Sequence, residues 1–203
     1  FTYTQEQTIG VILTPNTRRD PSRDFYIIVK RNDEVTLDDI RSTNPDRIII
    51  SPGPGSPEDP HYFGICSQVI LQLGRDIPLL GVCLGMQGIV HSFGGEIVKA
   101  TVPMHGKISA VTHNARDLFN NIPDQLEVMR YHSLVANPST LPECLELTAA
   151  IGDISVAEFH DCRRIAMEKK IEIMAVKHRE YPIFGIQFHP ESFLTEDGNT
   201  LLK

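Results

Sequence analysis

The chain has 203 residues, 41% of them hydrophobic, and a formal net charge of −7 at pH 7, which suits one soluble globular domain spanning residues 1–203. The acidic balance argues against a broad nucleic-acid face, which needs a basic excess. No apolar run approaches the roughly 18 residues of a membrane span, and nothing near the start reads as a basic region followed by an apolar one. The four cysteines, Cys66, Cys83, Cys144 and Cys162, show neither C-x-x-C spacing nor the density of a disulfide scaffold, so reduced thiols in a cytoplasmic setting are expected.

In chain order, Phe25 to Lys30 is apolar and β-rich. Thr36 to Ser42 has helix-start chemistry, with Thr36 before Asp38 and Asp39. Arg47 to Ser51 is a short strand entering a Pro/Gly turn. Ile65, Val69, Ile70 and Leu73 give Tyr62 to Leu73 a helical period. Pro78 to Val82 is a continuously apolar strand, and Leu84 to Phe93 a helix closed by Gly94 and Gly95. This β-α-β-α alternation with unbroken apolar strands implies a mostly parallel sheet covered on both faces. The second half is richer in strands: Lys107 to Val111, Leu126 to Tyr131, Leu145 to Ile151, Ile154 to Phe159, Ile171 to Lys177 and Ile183 to Phe188, some of them expected as antiparallel hairpins. Asp161 to Lys170 is a charged segment, read as a solvated helix or loop.

Gly81-Val-Cys83-Leu-Gly85 reads as the G-x-S-x-G elbow with sulfur in place of oxygen, placing Cys83 where a strand breaks into a helix, or as the plain glycine turn that ends many buried strands. The other three cysteines read as small buried or half-buried hydrophobes. Ile183 to Phe188 leads into His189-Pro-Glu191, so a histidine and a carboxylate also emerge at a strand end, the place where open parallel sheets build their sites. A cysteine needs a base because few thiols are ionised at neutral pH; His189 can take the proton and Glu191 can fix its tautomer, as the third member of a triad does. Each also has a plainer reading, a hydrogen-bonded structural histidine and a surface acid or helix cap. Ser51-Pro-Gly53-Pro54-Gly55 forms an extended loop whose glycines admit close approach, and it can supply an oxyanion amide with Leu84 as second donor, or be a plain tight turn. Gln87, one turn past Cys83, can face the same pocket. A strand segment from Tyr131 to Leu134 can offer backbone groups to an amino-acid ligand.

These motifs, with Arg31-Asn-Asp-Glu34, Met104-His-Gly-Lys107, Arg130-Tyr-His-Ser-Leu-Val135 and Gln187-Phe-His-Pro-Glu-Ser192 in order, resemble the class I, triad-type glutamine amidotransferases, and within them the glutaminase components of anthranilate synthase and aminodeoxychorismate synthase. The resemblance runs from about Val29 to Asn199. It implies an α/β fold, a flavodoxin-like three-layer sandwich with a mostly parallel central sheet and additional antiparallel strands. It further implies that Cys83 attacks the side-chain amide of L-glutamine, with His189 as general base and acid oriented by Glu191. Gly53, Pro54, Gly55 and Leu84 would form the oxyanion side; Gln87, Ser133 and Leu134 would hold glutamine. Ammonia would pass to a chorismate-using synthase, as separate subunit or fused domain, with no cofactor in this chain and magnesium expected in the partner; neither nucleic acid nor membrane is a partner.

The chain departs from that pattern in three places. Met86 stands where histidine is usual, with a packing or interface effect expected and the triad intact. The family's first strand is missing or atypical: Phe1 to Ile9 reads as the first helix, ended by Gly10, and Val11 to Asp24 as a long connection. The chain stops at Leu201-Leu-Lys203 as a last helix should begin. The nearest rivals are the aminodeoxychorismate pathway or a subunit shared by both. Carbamoyl-phosphate and guanylate synthetases fit the Arg130 and Met104 segments less well. A catalytically silent regulatory module and a Cys-His peptidase are rivals of other kinds.

Overall fold

The computed structural model describes residues 11–15, 27–160, 164–165, 168–192, 194–195 and 197–201. Among them, nine strands form one mixed sheet in the order β2-β1-β3-β4-β11-β10-β9-β6-β7, and β5 and β8 form a separate antiparallel pair. The strands are β1 (Val11–Pro15), β2 (Ile28–Lys30), β3 (Pro45–Ile50), β4 (Leu79–Val82), β5 (Ile97–Lys99), β6 (Lys107–His113), β7 (Leu126–Arg130), β8 (Leu134–Ala136), β9 (Leu145–Gly152), β10 (Ile171–His178) and β11 (Ile183–Ile186). The longer helices are α1 (Leu37–Thr43) and α4 (Leu84–Ser92), with short α2 (Pro60–Phe63) and α3 (Cys66–Gln68) between them.

The parallel part is β3, β4 and β11, paired Ile50 with Gly81 and Val82 with Ile186. Antiparallel strands extend it on both sides, further than the alternation of the first half suggests. The result is the expected α/β, flavodoxin-like arrangement with broad antiparallel wings. Side chains alternate between two cores, as the two-residue period of a strand requires. Ile48 and Ile50 face the core shared with Ile40 of α1, Val69, Ile70 and Ile89, while Ile49 packs into the opposite core with Val128, Met174 and Phe188. Each fully buried Ile or Val contributes about 1.5–3 kcal/mol relative to exposure. α4 is buried on every side, from Leu84 through Val90, because a helix apolar all round has no solvent face to offer.

The helix starts follow from side chains. At α1, Thr36 Oγ1 accepts from the Asp39 amide at 3.2 Å while the Asp39 carboxylate accepts from the Thr36 amide at 2.8 Å, a capping box. The helical run read from Tyr62 to Leu73 is broken at Gly64 (φ 47°). A Cβ there would lie 2.7 Å from Asn32 Nδ2, and past the break the chain rewinds as α3 and a π-wound turn, Val69–Leu73.

Three other readings are corrected. Ile154 to Phe159 is a 3-10 turn at Val156–Glu158, not a strand, because Ser155 and Glu158 form a capping box. Tyr131 to Ser133 lies between strands; only Leu134–Ala136 is a strand, paired with Ile97–Lys99, which the apolar pattern did not reveal. Val11–Pro15, read as part of a connection, is a strand antiparallel to β3, and it pairs an edge that β3 would otherwise leave open. The expected helix over Phe1 to Ile9 lies outside the described residues, and the end of the chain contributes the helical turn Gly198–Leu201.

At the rim near the C-terminal ends of the parallel strands, Arg130 is 1% exposed. Its guanidinium bonds Glu172, donates to Ser109 Oγ at 3.2 Å and donates through Nε to His132 Nε2 at 3.2 Å. Since His132 Nε2 accepts, its ring is neutral; burial, then the Arg130 charge, push its pKa down to about 4. The Glu172 side chain is 25% exposed, so water can solvate it if Arg130 is removed, whereas a stranded guanidinium has no such outlet. Glu172→Ala is therefore expected to cost about 3 kcal/mol or more and Arg130→Met clearly less, read from urea midpoints at unchanged m; the reverse order would contradict this account.

Candidate active site

Cys83 sits at the tip of β4 with φ 53° and ψ −102°, a backbone conformation strained for a residue with a side chain and found where function demands it. The geometry is held by close backbone contact. A Cβ on Gly81 would lie 2.5 Å from the carbonyl atoms of Gly85, and one on Gly85 would lie 2.3 Å from the Ile50 carbonyl oxygen. The two glycines of the pentapeptide are thus explained by space: they let β4 fold back onto α4, and α4 rest on β3. The Cys83 amide donates to the Ile186 carbonyl at 2.8 Å, tying the elbow to β11. The Gln87 amide is the first bonded back into the turn, to the Cys83 carbonyl at 3.0 Å, so Leu84, Gly85 and Met86 carry amides without intrahelical partners.

The parallel register brings the site together. β11 ends level with β4, and Gln187, Phe188, His189 and Glu191 follow it onto the edge that holds Cys83. Ser51 to Gly55 leaves β3, on the other flank of β4, for the same edge. Gly55 has φ 81°, and a Cβ there would lie 2.3 Å from the Tyr62 ring.

His189 Nδ1 lies 2.7 Å from Glu191 Oε1. Its Nε2 is buried without a hydrogen-bond partner, so the nitrogen that can receive a proton is not spent on structure. Burial is the largest single influence on this ring and opposes its charge, but interaction with Cys83 and the hydrogen bond to Glu191 outweigh it and raise the pKa to about 9. The Cys83 interaction is electrostatic proximity rather than a closed hydrogen bond. Burial likewise raises the Glu191 carboxyl, yet the bond to His189 brings it below the usual carboxylate range. At neutral pH the pair is an imidazolium and a carboxylate beside the sulfur.

Two further residues hold this histidine, Thr195 with no sequence signal and Tyr131 from the Arg130 to Val135 motif. Thr195 Oγ1 donates to the His189 carbonyl at 2.7 Å and accepts from the Met129 amide at 3.2 Å. The Tyr131 and His189 rings stand at 89° to one another with centroids 5.5 Å apart. Gln87 is buried, and its amide nitrogen bonds the Leu134 carbonyl at 3.0 Å and Gln187 Oε1 at 3.1 Å; both its N–H groups are engaged within the protein. Ser133 is exposed, with its carbonyl taken by the Ala100 amide at 2.8 Å. The departure at Met86 is one of packing: the side chain is fully buried and its Cγ lies 2.8 Å from where a Cβ on Gly185 would be.

The remaining described thiols are of a different kind. Cys66 is buried in the core and burial pushes it up to about 12; burial also raises Cys144. Cys162 lies outside the described residues. Among the described residues there is no group of three His, Cys, Asp or Glu side chains placed to hold a metal, and no helix long and apolar enough to cross a membrane.

Because Glu191 stabilises the charged ring, Glu191→Gln is expected to lower the His189 pKa from about 9 toward the ordinary histidine value, so the imidazolium is lost at lower pH as pH rises. An NMR titration of the ring resonances reads this directly, and an unchanged pKa would contradict the pairing.

Comparison with known proteins agrees with the geometry. The family model for class-I glutamine amidotransferases matches residues 17–203. The anthranilate synthase component 2 of Leptospira biflexa is 44% identical over 203 residues, covering 100% of this chain and 92% of that protein. The aminodeoxychorismate synthase component 2 of Escherichia coli K12 is 42% identical over 176 residues, 87% of this chain and 83% of that protein. In fold, the chain is similar to a solved structure of a candidate GMP synthase subunit from Thermoplasma acidophilum, with TM-score 0.64 and 24% identity over 84% of this chain and 74% of that one. This chain is a glutamine amidotransferase of class I.

Proposed function

We propose that this chain is the glutaminase component of a chorismate-using synthase, most closely anthranilate synthase. The observation that carries the reading is the strained Cys83 at the tip of β4 beside a His189–Glu191 pair at the end of the adjoining strand. In this reaction the Cys83 thiolate attacks the side-chain amide carbon of L-glutamine. Backbone N–H groups of Gly53, Gly55 and Leu84 hold the developing oxyanion, with Pro54 fixing the loop between the two glycines. His189 gives its proton to the departing nitrogen, ammonia leaves and a γ-glutamyl thioester remains on Cys83. His189, now neutral, takes a proton from water as that water attacks the thioester, and glutamate is released. Ser133 and Leu134 hold the amino-acid end of the substrate, with Gln87 behind them.

Ammonia is the useful product, and a partner that aminates chorismate consumes it. The similar proteins named as second components of anthranilate and of aminodeoxychorismate synthases support a two-part enzyme of this kind. The second name keeps the aminodeoxychorismate pathway as the alternative destination. This chain's chemistry uses no cofactor, and magnesium belongs with the partner. A cytoplasmic setting suits the free thiols of Cys66, Cys83 and Cys144.

In the complex with its synthase, Cys83→Ala is expected to abolish synthesis from glutamine, a loss on the order of 10³-fold or more as for other nucleophile deletions, and to leave synthesis from added ammonium salt intact. Retained glutamine-dependent synthesis would sink the proposal. The aromatic product formed from chorismate and glutamine decides between the two pathways.

A further inference from the structure

Gln187, the first residue after β11, is fully buried. Its backbone amide donates to the Met174 carbonyl at 2.8 Å, which fixes the position of its Cα beside the elbow. Its side-chain nitrogen lies 3.6 Å from Cys83 Sγ, and its side-chain oxygen lies 3.1 Å from Gln87 Nε2. Gln87 Nε2 in turn lies 3.0 Å from the Leu134 carbonyl oxygen.

The polarity of this chain of bonds is set at one end. A backbone carbonyl can only accept, so the Gln87 group facing Leu134 must be its NH₂. The same NH₂ faces Gln187, which must answer with its oxygen. The Gln187 NH₂ is then left facing sulfur. One carbonyl on β8 therefore fixes two side-chain amides and decides that a donor, not an acceptor, meets Cys83. A methionine at 187 would have similar length and bury no polar group, so the amide is placed at a cost that core packing does not require.

We propose that Gln187 is a positioning residue for the nucleophile: its N–H donates to the Cys83 sulfur, favours the thiolate and holds it, in an orientation imposed by Gln87 and the Leu134 carbonyl. The proposal rests on the reading of Cys83 as nucleophile and adds to it a link between the sulfur and the strand expected to hold glutamine. The titratable groups around Cys83 are His189, with Glu191 behind it, and beyond them His132, Arg130 and Glu172. α4 carries only His91, at its far end, and β4 carries none. Gln187 is thus a neutral donor at the sulfur, and unlike the neighbouring His189 it donates at every pH.

The test is the pH dependence of Cys83 alkylation by iodoacetamide in the full chain, with Cys83, Cys66 and Cys144 read separately by peptide mass spectrometry. In Gln187→Met the midpoint for Cys83 is expected to rise by roughly one to two pH units, the effect of losing a hydrogen bond to a charged acceptor. In Gln87→Met it should rise less, because the Gln187 amide remains but loses the partner that orients it. An unchanged midpoint in Gln187→Met, with only a lower unfolding temperature, would make Gln187 a packing residue and overturn the proposal. Should that variant not fold, an unchanged midpoint in Gln87→Met overturns it instead. Wild-type Cys83 reacting no faster than Cys144 would overturn the nucleophile reading and this proposal with it, whereas the first two results leave that reading standing.

Discussion

At the turn from β4 into α4, two backbones meet with no side chain between them, and the rest of the site depends on that contact. Gly81 and Gly85 lie against each other, and Gly85 lies against the Ile50 carbonyl of β3. Any Cβ at either position would push α4 away from the sheet. Because the three strands β3, β4 and β11 run parallel and in step, the contact sets the height at which Cys83, the Ser51–Gly55 loop and the His189 loop all emerge. The strain in Cys83 is tolerated since α4 is buried all round and cannot shift to relieve it.

Charge is then arranged around a fixed sulfur. His189 is partly buried, which works against its protonation, yet the Cys83 sulfur and Glu191 hold the proton on it. Thr195 and the Met129 amide fix the backbone of the same loop. At the next residue of β7, Arg130 bonds Glu172 at the rim, and its Nε bond makes His132 a neutral acceptor. Two histidines close to one another are thereby driven in opposite directions, His132 down to about 4 and His189 up to about 9, so only one of them is positively charged at neutral pH. That separation is what a single acid and base beside one nucleophile requires.

Much of this was legible in the sequence because it is local. The elbow, the His189-Pro-Glu191 run and the Pro/Gly loop each lie within a few residues, and the apolar strands before them announce a common sheet edge. The helix start at Thr36 and Asp39 was also readable, whereas the capping box at Ser155 and Glu158 was missed, concealed by the apolar run over Ile154 to Phe159. What was not legible is long-range. Thr195, Glu172 and Gln187 act through contacts that span the chain, and no periodicity marks them. The three-residue strand Ile97–Lys99 is too short to show alternation, and Val11–Pro15, read as part of a connection, owes its strand form to pairing with the distant β3. Gln87 reads as a pocket residue by helical spacing; in the fold its N–H groups reach Leu134 and Gln187.

The central claim is that Cys83 carries the substrate covalently. Its most direct test is to mix the protein, with its synthase, and L-glutamine, quench in acid within the turnover time and map the adduct by peptide mass spectrometry. A glutamyl group on the peptide containing Cys83, lost on standing at neutral pH as the thioester hydrolyses, is the result this account predicts. A glutamyl group on Cys66 or Cys144, or turnover with no adduct on any cysteine under conditions that preserve thioesters, would contradict it.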